Sequence, residues 1–453
     1  MNTAELARSL DGEILLPADP GFREARTLWN ARLDRSPDII ARCATVDDVR
    51  KSVDFARGND IPLSVKGGGH SYAANSVRQG GLLIDLGMLD DVRVSPADRT
   101  ASVGGGTTCA QLDSASQVYG LATPLPTVSS VGVVGAALGG GGGYLSRKYG
   151  LTLDNIVSAE VVTAEGDCIT ASRDEHPDLF WALRGGGGNF GIVTRLELRL
   201  HEVGPQVLAG QIIYPFDDAA AHLRRFRDFM GEAPDELQCY PFCFLVPPID
   251  AFPTEMHGQP VLDFVYCHQN PAAIDEIQPL RMLGTPVADL TGVSAYVETQ
   301  TTFDPNMPKG NRYTSKAHDL AELSDGVIDT MVEFVPQTAG AMTASYFDPF
   351  GGAIGRVDPT TTAYAGRKAQ YGFHVIAGWG DADEDDAVLT WADEFQRAMA
   401  AHATGGVYVN LIADDEADRI PSAYGPNYQR LGELKSEWDP DNLFSSNYNI
   451  QPR

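Results

Sequence analysis

The stretch Val65-Lys66-Gly67-Gly68-Gly69-His70-Ser71, continued by Tyr72-Ala73-Ala74-Asn75-Ser76, decides how the rest of the chain is read. Three consecutive glycines permit a backbone with φ > 0 and let its N–H groups close on an anion. The histidine then sets an imidazole at the end of that turn. Together they suit a phosphate-bearing cofactor beside a nucleophilic ring. A glycine triplet alone is an ordinary loop and a lone histidine an ordinary structural residue, so the flanking pattern carries the weight.

Upstream, residues 13–16 read as a strand, 22–33 as helix-like and 38–43 as a strand. Thr45 caps a helix over 46–59, and 61–66 is the next strand. A strand, helix, strand unit thus delivers the chain into the glycine turn. Downstream, 81–86 is a buried strand, 91–94 with 100–103 is hairpin material, and Gly104-Gly105-Gly106-Thr107-Thr108 opens a helix.

A second glycine cluster runs Val131-Gly132-Val133-Val134-Gly135-Ala136-Ala137-Leu138, then Gly139 to Gly143, then Tyr144-Leu145-Ser146-Arg147-Lys148-Tyr149-Gly150. Thr127, Ser129 or Ser130 can cap a short helix of small residues whose N-terminus faces an anion or a polarised ring edge. A third cluster, Gly185 to Gly188 and Asn189-Phe190-Gly191-Ile192-Val193, contains a dinucleotide-fingerprint spacing. Its context is helix before (178–183) and alternating strand after (192–200). A Rossmann turn requires the reverse order, so NAD binding is rejected there.

With these three segments in this order, the chain resembles the flavoproteins of the vanillyl-alcohol oxidase/para-cresol methylhydroxylase type, in the branch of berberine bridge enzyme and 6-hydroxy-D-nicotine oxidase. The resemblance covers about residues 10–200 and 405–453 well and the middle weakly. It implies an α+β fold: a two-subdomain FAD-binding domain (1–204), a substrate domain with an antiparallel sheet backed by helices (205–404), and a C-terminal return to the FAD domain (405–453). It implies FAD joined through its 8α-methyl to His70, with Lys66, Gly67, Gly68, Gly69 and Ser71 around the pyrophosphate. From the second cluster it brings Val128, Ser129, Val131, Gly132, Gly135, Gly139, Gly142, Gly143 and Tyr144 to the cofactor, followed by Asn155. The third contributes Gly188, Asn189, Gly191, Ile192 and Val193, and the tail Asn410, Asn447, Tyr448 and Asn449. Relatives with two covalent links carry a cysteine where Val128 stands, so one link is expected here. Val131 takes the place that in relatives leaves O2 a path to the flavin.

Between 206 and 404 the glycine clusters stop. Residues 208–214, 261–268 and 369–379 read as strands and 219–230 as helix. The whole chain, at 453 residues, exceeds one ordinary core. Its composition, 43% hydrophobic and 21% charged, is globular, without a run of eighteen apolar residues. The net charge of −27, from 61 acidic and 34 basic residues, argues against nucleic acid and anionic membrane partners. So few of the cations are lysine, seven in all, that a salt-loving source and a GC-rich genome are equally good explanations. The first residues lack a basic segment leading into an apolar one, and a cytoplasmic location is expected. Six scattered cysteines form no metal-ligand spacing, so buried free thiols and no metal are expected; Cys239 and Cys243 fit one helical turn or one strand face.

The expected chemistry is that of an FAD-dependent oxidase: hydride from an alcohol or amine carbon of a small molecule to flavin N5, and O2 as acceptor. A sugar, a heterocyclic amine and a secondary metabolite all remain open as substrates. Two rivals stay beside it, a flavin dehydrogenase with another acceptor and a flavin- or ligand-binding protein without turnover. On the strand ending at Trp379, alternation points Gly372 and His374 to one face and Tyr371, Phe373 and Val375 to the other. His374 stands where plant relatives put a glutamate or glutamine and is expected to take the substrate proton, as an imidazole of ordinary pKa. Tyr408, on the next strand, is expected to position the substrate and to bond His374 or substrate, while Asn410 and Tyr448 would orient the ring. The tyrosine that often follows that asparagine in the family is Leu411 here. For Tyr72, packing and a place at the flavin ring are both open.

Overall fold

A computed structural model describes residues 2–250 and 252–453. Its first sheet has four strands in the order Glu13–Leu15, Ile39–Arg42, Leu82–Asp85, Leu63–Lys66. The last three are parallel. Helix Val46–Gly58 carries the chain from Ile39–Arg42 past Leu82–Asp85 to Leu63–Lys66, the crossover that parallel strands of one sheet need. Thr45 caps that helix through reciprocal bonds with Asp48, as the sequence predicts. Val49, Val53 and Ala56 bury one helical face against Leu63, Leu82 and Ile84. The unit ends at Lys66, and the chain turns directly into Gly67–Gly69.

The helix expected over 22–33 stops at Arg26. Tertiary contacts claim the residues beyond it. Trp29 stacks on Tyr313 with ring centroids 3.8 Å apart, and Asn30 exchanges hydrogen bonds with the Tyr313 backbone. A buried amide so paired outweighs the weak helical preference of a short segment.

A second, five-stranded antiparallel sheet runs Val92–Ser95, Thr100–Gly104, Ile192–Arg199, Ile156–Val162, Cys168–Ser172. Helices Val133–Gly139 and Pro177–Leu183 share its core. The third sheet has eight strands, all drawn from residues 206–379. Its path ends Leu237–Leu245, Ala344–Pro349, Tyr371–Trp379, Arg312–Leu320. Helices Ala219–Glu232, Asp325–Phe334 and Asp385–Met399 bury Phe226, Met331 and Phe395 against one face, where Phe347, Phe373 and Val375 meet them. The architecture is α+β, and the opposite face of this sheet closes over the glycine segments. Cys239 and Cys243 lie buried on one strand, whereas Cys168, on an edge strand, is exposed and departs from the expected buried thiol. Among the described residues no helix is long and apolar enough to cross a membrane.

Candidate active site

The floor of the site is backbone. A Cβ on Gly68 would fall 2.4 Å from the Gly132 nitrogen, and one on Gly67 would fall 2.7 Å from the Gly105 carbonyl oxygen. The first and second clusters therefore touch main chain to main chain, a contact open only to glycine. Gly69 turns with φ +71°. Above this floor lies a cavity of about 400 Å³ lined by parts of all three clusters. At Gly135 and Gly188, which also line it, a Cβ would meet nothing within 4 Å, so both present bare backbone to open space. No lysine or arginine lines the cavity, so a diphosphate there would be held by main-chain N–H groups. Asn447 fastens the tail to this floor, donating to the Gly188 carbonyl at 3.0 Å while its own buried Oδ1 lacks a partner. Two of these features fit FAD: glycine backbone laid bare to the cavity and an orphaned polar atom beside it.

Helix Val133–Gly139 starts after Gly132, and none of the expected hydroxyls caps it. Ser129 bonds Asp304 through both its backbone N–H and its hydroxyl, and the Ser130 hydroxyl lies 2.8 Å from His70 Nε2. His70 is stacked on Trp29, centroids 4.7 Å apart. Burial, helped by the Lys309 charge, lowers its pKa to about 4, which leaves a neutral imidazole at physiological pH. Beside it, Tyr72 lines the cavity and sets its ring edge against Trp29, and burial drives its phenol far above the ordinary value. Tyr72 thus packs on Trp29 and also borders the cavity.

The roof is side chain. Tyr346 and Asp348, on strand Ala344–Pro349, line the cavity with His374 from the adjacent strand. His374 lies on the expected face with Gly372, its Nε2 2.5 Å from where a Gly372 Cβ would be. Its ionisation departs from expectation. Desolvation lowers its pKa to about 3 and its Nδ1 is buried without a partner, so it is no longer a base matched to neutral pH. Tyr408 is also placed differently: it precedes the turn Val409–Leu411 instead of lying on a strand. Its hydroxyl accepts from Gly141 N–H at 2.7 Å and from Asn410 Nδ2 at 2.9 Å, and does not bond His374. Burial pushes that phenol up to about 12. Asn410 therefore orients Tyr408, whereas Tyr448 donates to the Ile412 carbonyl at 2.9 Å.

Of the residues singled out in the sequence, the cavity gathers His70, Ser71, Tyr72, Val128, Val131, Gly132, His374, Tyr408 and Tyr448, with Gly142, Gly143, Gly191, Ile192 and Val193. Seven do not line it. Lys66 is paired with Asp85 at 3.1 Å. Ser129 is committed to Asp304, and Gly139 leaves room for Asn410, whose Oδ1 lies 2.1 Å from where a Cβ would be. Tyr144 packs in a separate core with Tyr240 and Tyr296. Asn155 caps the Tyr149 and Leu151 carbonyls, and Asn189 bonds Gly186 and Ile450. Asn449 lies outside the cavity with its Oδ1 buried and unpartnered. Conversely, Tyr346, Asp348, Phe350 and Tyr364 line the cavity without having been anticipated. The one available signal was a lone carboxylate inside the aromatic segment Tyr346-Phe347-Asp348-Pro349-Phe350.

This floor and roof define a flavoprotein oxidoreductase. Residues 37–172 match the family described as FAD binding domain, and residues 407–451 match berberine and berberine like. The chain is 33% identical to (R)-6-hydroxynicotine oxidase of Paenarthrobacter nicotinovorans over 98% of its own length and 97% of that protein's. The crystal structure of 6-hydroxy-D-nicotine oxidase from Arthrobacter nicotinovorans superposes with a TM-score of 0.89, at 30% identity and 100% coverage of both chains. The glucooligosaccharide oxidase of Acremonium strictum, which carries a 6-S-cysteinyl, 8α-N1-histidyl FAD, shares the fold, with a TM-score of 0.86 at 22% identity and 99% coverage of both chains. The chain belongs to the vanillyl-alcohol oxidase/para-cresol methylhydroxylase superfamily, in its berberine bridge enzyme-like branch. It is an FAD-dependent oxidase.

Proposed function

We propose that the cavity holds FAD through a single covalent bond to His70 and oxidises an alcohol or amine carbon of a small molecule, with O2 as final acceptor. FAD bound there supplies, at its N5, the acceptor for the substrate hydride. The observation that carries this reading is His70 itself, a neutral imidazole held between Trp29 and Ser130 at the end of a glycine loop open to the cavity. Alkylation requires an unprotonated ring nitrogen. With Nε2–H donating to the Ser130 hydroxyl, Nδ1 carries the free lone pair for the bond. Val128 has no nucleophile, so a second link has nothing to form from.

The glycines hold the diphosphate through N–H groups, and the sheet drawn from 206–379 closes the other side and selects the substrate. Residues 1–204 with 405–453 would then serve the cofactor and 205–404 the substrate. Tyr408, held by Gly141 and Asn410, fixes the substrate's orientation, and Tyr72 and Tyr448 keep water from the reacting carbon. Val131 leaves the O2 path open. Six free cysteines agree with a reducing, cytoplasmic location.

The test is anaerobic mixing of the purified yellow protein with a panel of sugars, aryl alcohols and cyclic amines. Bleaching by at least one compound, followed by rapid recovery of colour in air with hydrogen peroxide released, is the expected result. Bleaching without recovery in air selects a dehydrogenase, and a panel that bleaches nothing selects a binding protein.

A further inference from the structure

The proton lost with the hydride needs an acceptor, and His374 is held neutral by its burial. The same patch of roof carries another group. On strand Ala344–Pro349, alternation sends Phe347 into the helix-backed core and turns Tyr346 and Asp348 to the cavity. Asp348 pairs in register with Gly372, the residue over which the His374 ring leans. Gln238 Nε2 donates to Asp348 Oδ1 at 3.0 Å, while Oδ2 takes no bond from the protein.

We propose that Asp348 is a catalytic residue, the group that takes the substrate's O–H or N–H proton, with His374 beside it, and that the cavity admits uncharged or cationic substrates and excludes carboxylates. This rests on the oxidase reading above. In the step, the substrate O–H or N–H bond breaks and an O–H bond forms on Asp348. The electron pair left behind closes a C=O or C=N bond as the carbon's hydride leaves for bound FAD, the oxidant.

The surroundings support both halves. Asp348 is the one carboxylate among the lining residues, and no lysine or arginine joins it, so on the roof, away from the glycine N–H groups of the floor, no charged side chain compensates a bound anion. The titratable groups that face it are the phenols of Tyr240, Tyr346, Tyr364 and Tyr408, together with His374. Burial keeps all of them uncharged through the neutral range. With no cation near, desolvation raises the Asp348 carboxyl to about 8. It is therefore an acid at low pH and a base above about 8, which places a proton carrier within reach of working pH.

The test compares the flavin-loaded wild-type, Asp348→Asn and His374→Asn proteins. An infrared difference spectrum between about pH 6 and about pH 10 needs no substrate. A protonated-carboxyl band should disappear with a midpoint near 8 in wild type and His374→Asn, and be missing from Asp348→Asn. With the compound that bleaches wild type, anaerobic flavin reduction should rise with pH to a plateau. Asp348→Asn should slow it by about two orders of magnitude and abolish the pH dependence, while His374→Asn loses less than about tenfold. Benzylamine should perturb the wild-type flavin spectrum and benzoate should not, and Asp348→Asn should weaken this preference. Wild-type rates and pH profile in Asp348→Asn would overturn the proposal, as would a wild-type carboxyl already ionised at about pH 6. A panel that bleaches nothing defeats the oxidase reading instead.

Discussion

The two walls of the cavity are built on opposite terms. The floor is main chain, made where clusters far apart in sequence approach so closely that an added Cβ would fall within 3 Å of the facing backbone. The roof is side chain, made where alternate residues of two paired strands turn to one face. Where its clusters touch, a floor of this kind tolerates no addition, and its glycines carry no side-chain chemistry of their own. A roof of this kind can change its residues one at a time, which suits the wall that chooses substrate and handles the proton.

The contrast is broken most severely at Gly68. In Gly68→Ala the new methyl meets the Gly132 backbone, not the end of a flexible side chain, so the two clusters must separate. Overpacking of this sort costs about 1–3 kcal/mol, and bound flavin should fall to a small fraction of wild type by absorbance ratio. Val131→Leu comes next: it should slow air reoxidation while leaving anaerobic reduction at its wild-type rate in stopped flow. An unchanged reoxidation rate would place the O2 path elsewhere. Gly188→Ala separates fit from fold, since its methyl has nothing within 4 Å. The cofactor-free protein should melt within about 0.5 kcal/mol of wild type, yet retain less flavin on gel filtration of a variant that also carries His70→Ala.

The smallest effect lies away from the cavity. Asp113 and Asp263 are buried and raised to about 7, so between their unfolded value near 4 and about 7 the folded chain binds more protons than the unfolded one. Their contribution to stability is complete below about 4 and is lost as pH rises through 7. Melting temperature should thus fall by a few degrees between about pH 5 and about pH 8, and Asp263→Asn should shrink the decrease.

Legibility followed the same division. Glycine runs are contiguous, so Gly67–Gly69 were legible from the residues themselves, whereas Gly132, Gly188 and Gly191, which also line the cavity, came through the family resemblance; the facing of Gly372 and His374 was read from strand alternation. The helix expected to run on past Arg26 failed because Trp29 and Asn30 answer to Tyr313, some 280 positions away. Ser129 looked like a cap until Asp304 claimed it, for nothing local announces that partner. Asp348 became visible only when strand pairing set it opposite Gly372 and burial changed its acidity. The ionisation of His374 was missed for the same reason: an ordinary imidazole pKa presumes water that the roof removes.

The central claim is that the floor presents His70 to a covalently held FAD. Intact-mass spectrometry of the denatured yellow protein measures it most directly. The account predicts one FAD adduct per chain, found on the tryptic peptide that contains His70 and absent from His70→Ala. An unmodified mass from flavin-loaded wild type, with all colour released into the acid supernatant, would contradict it.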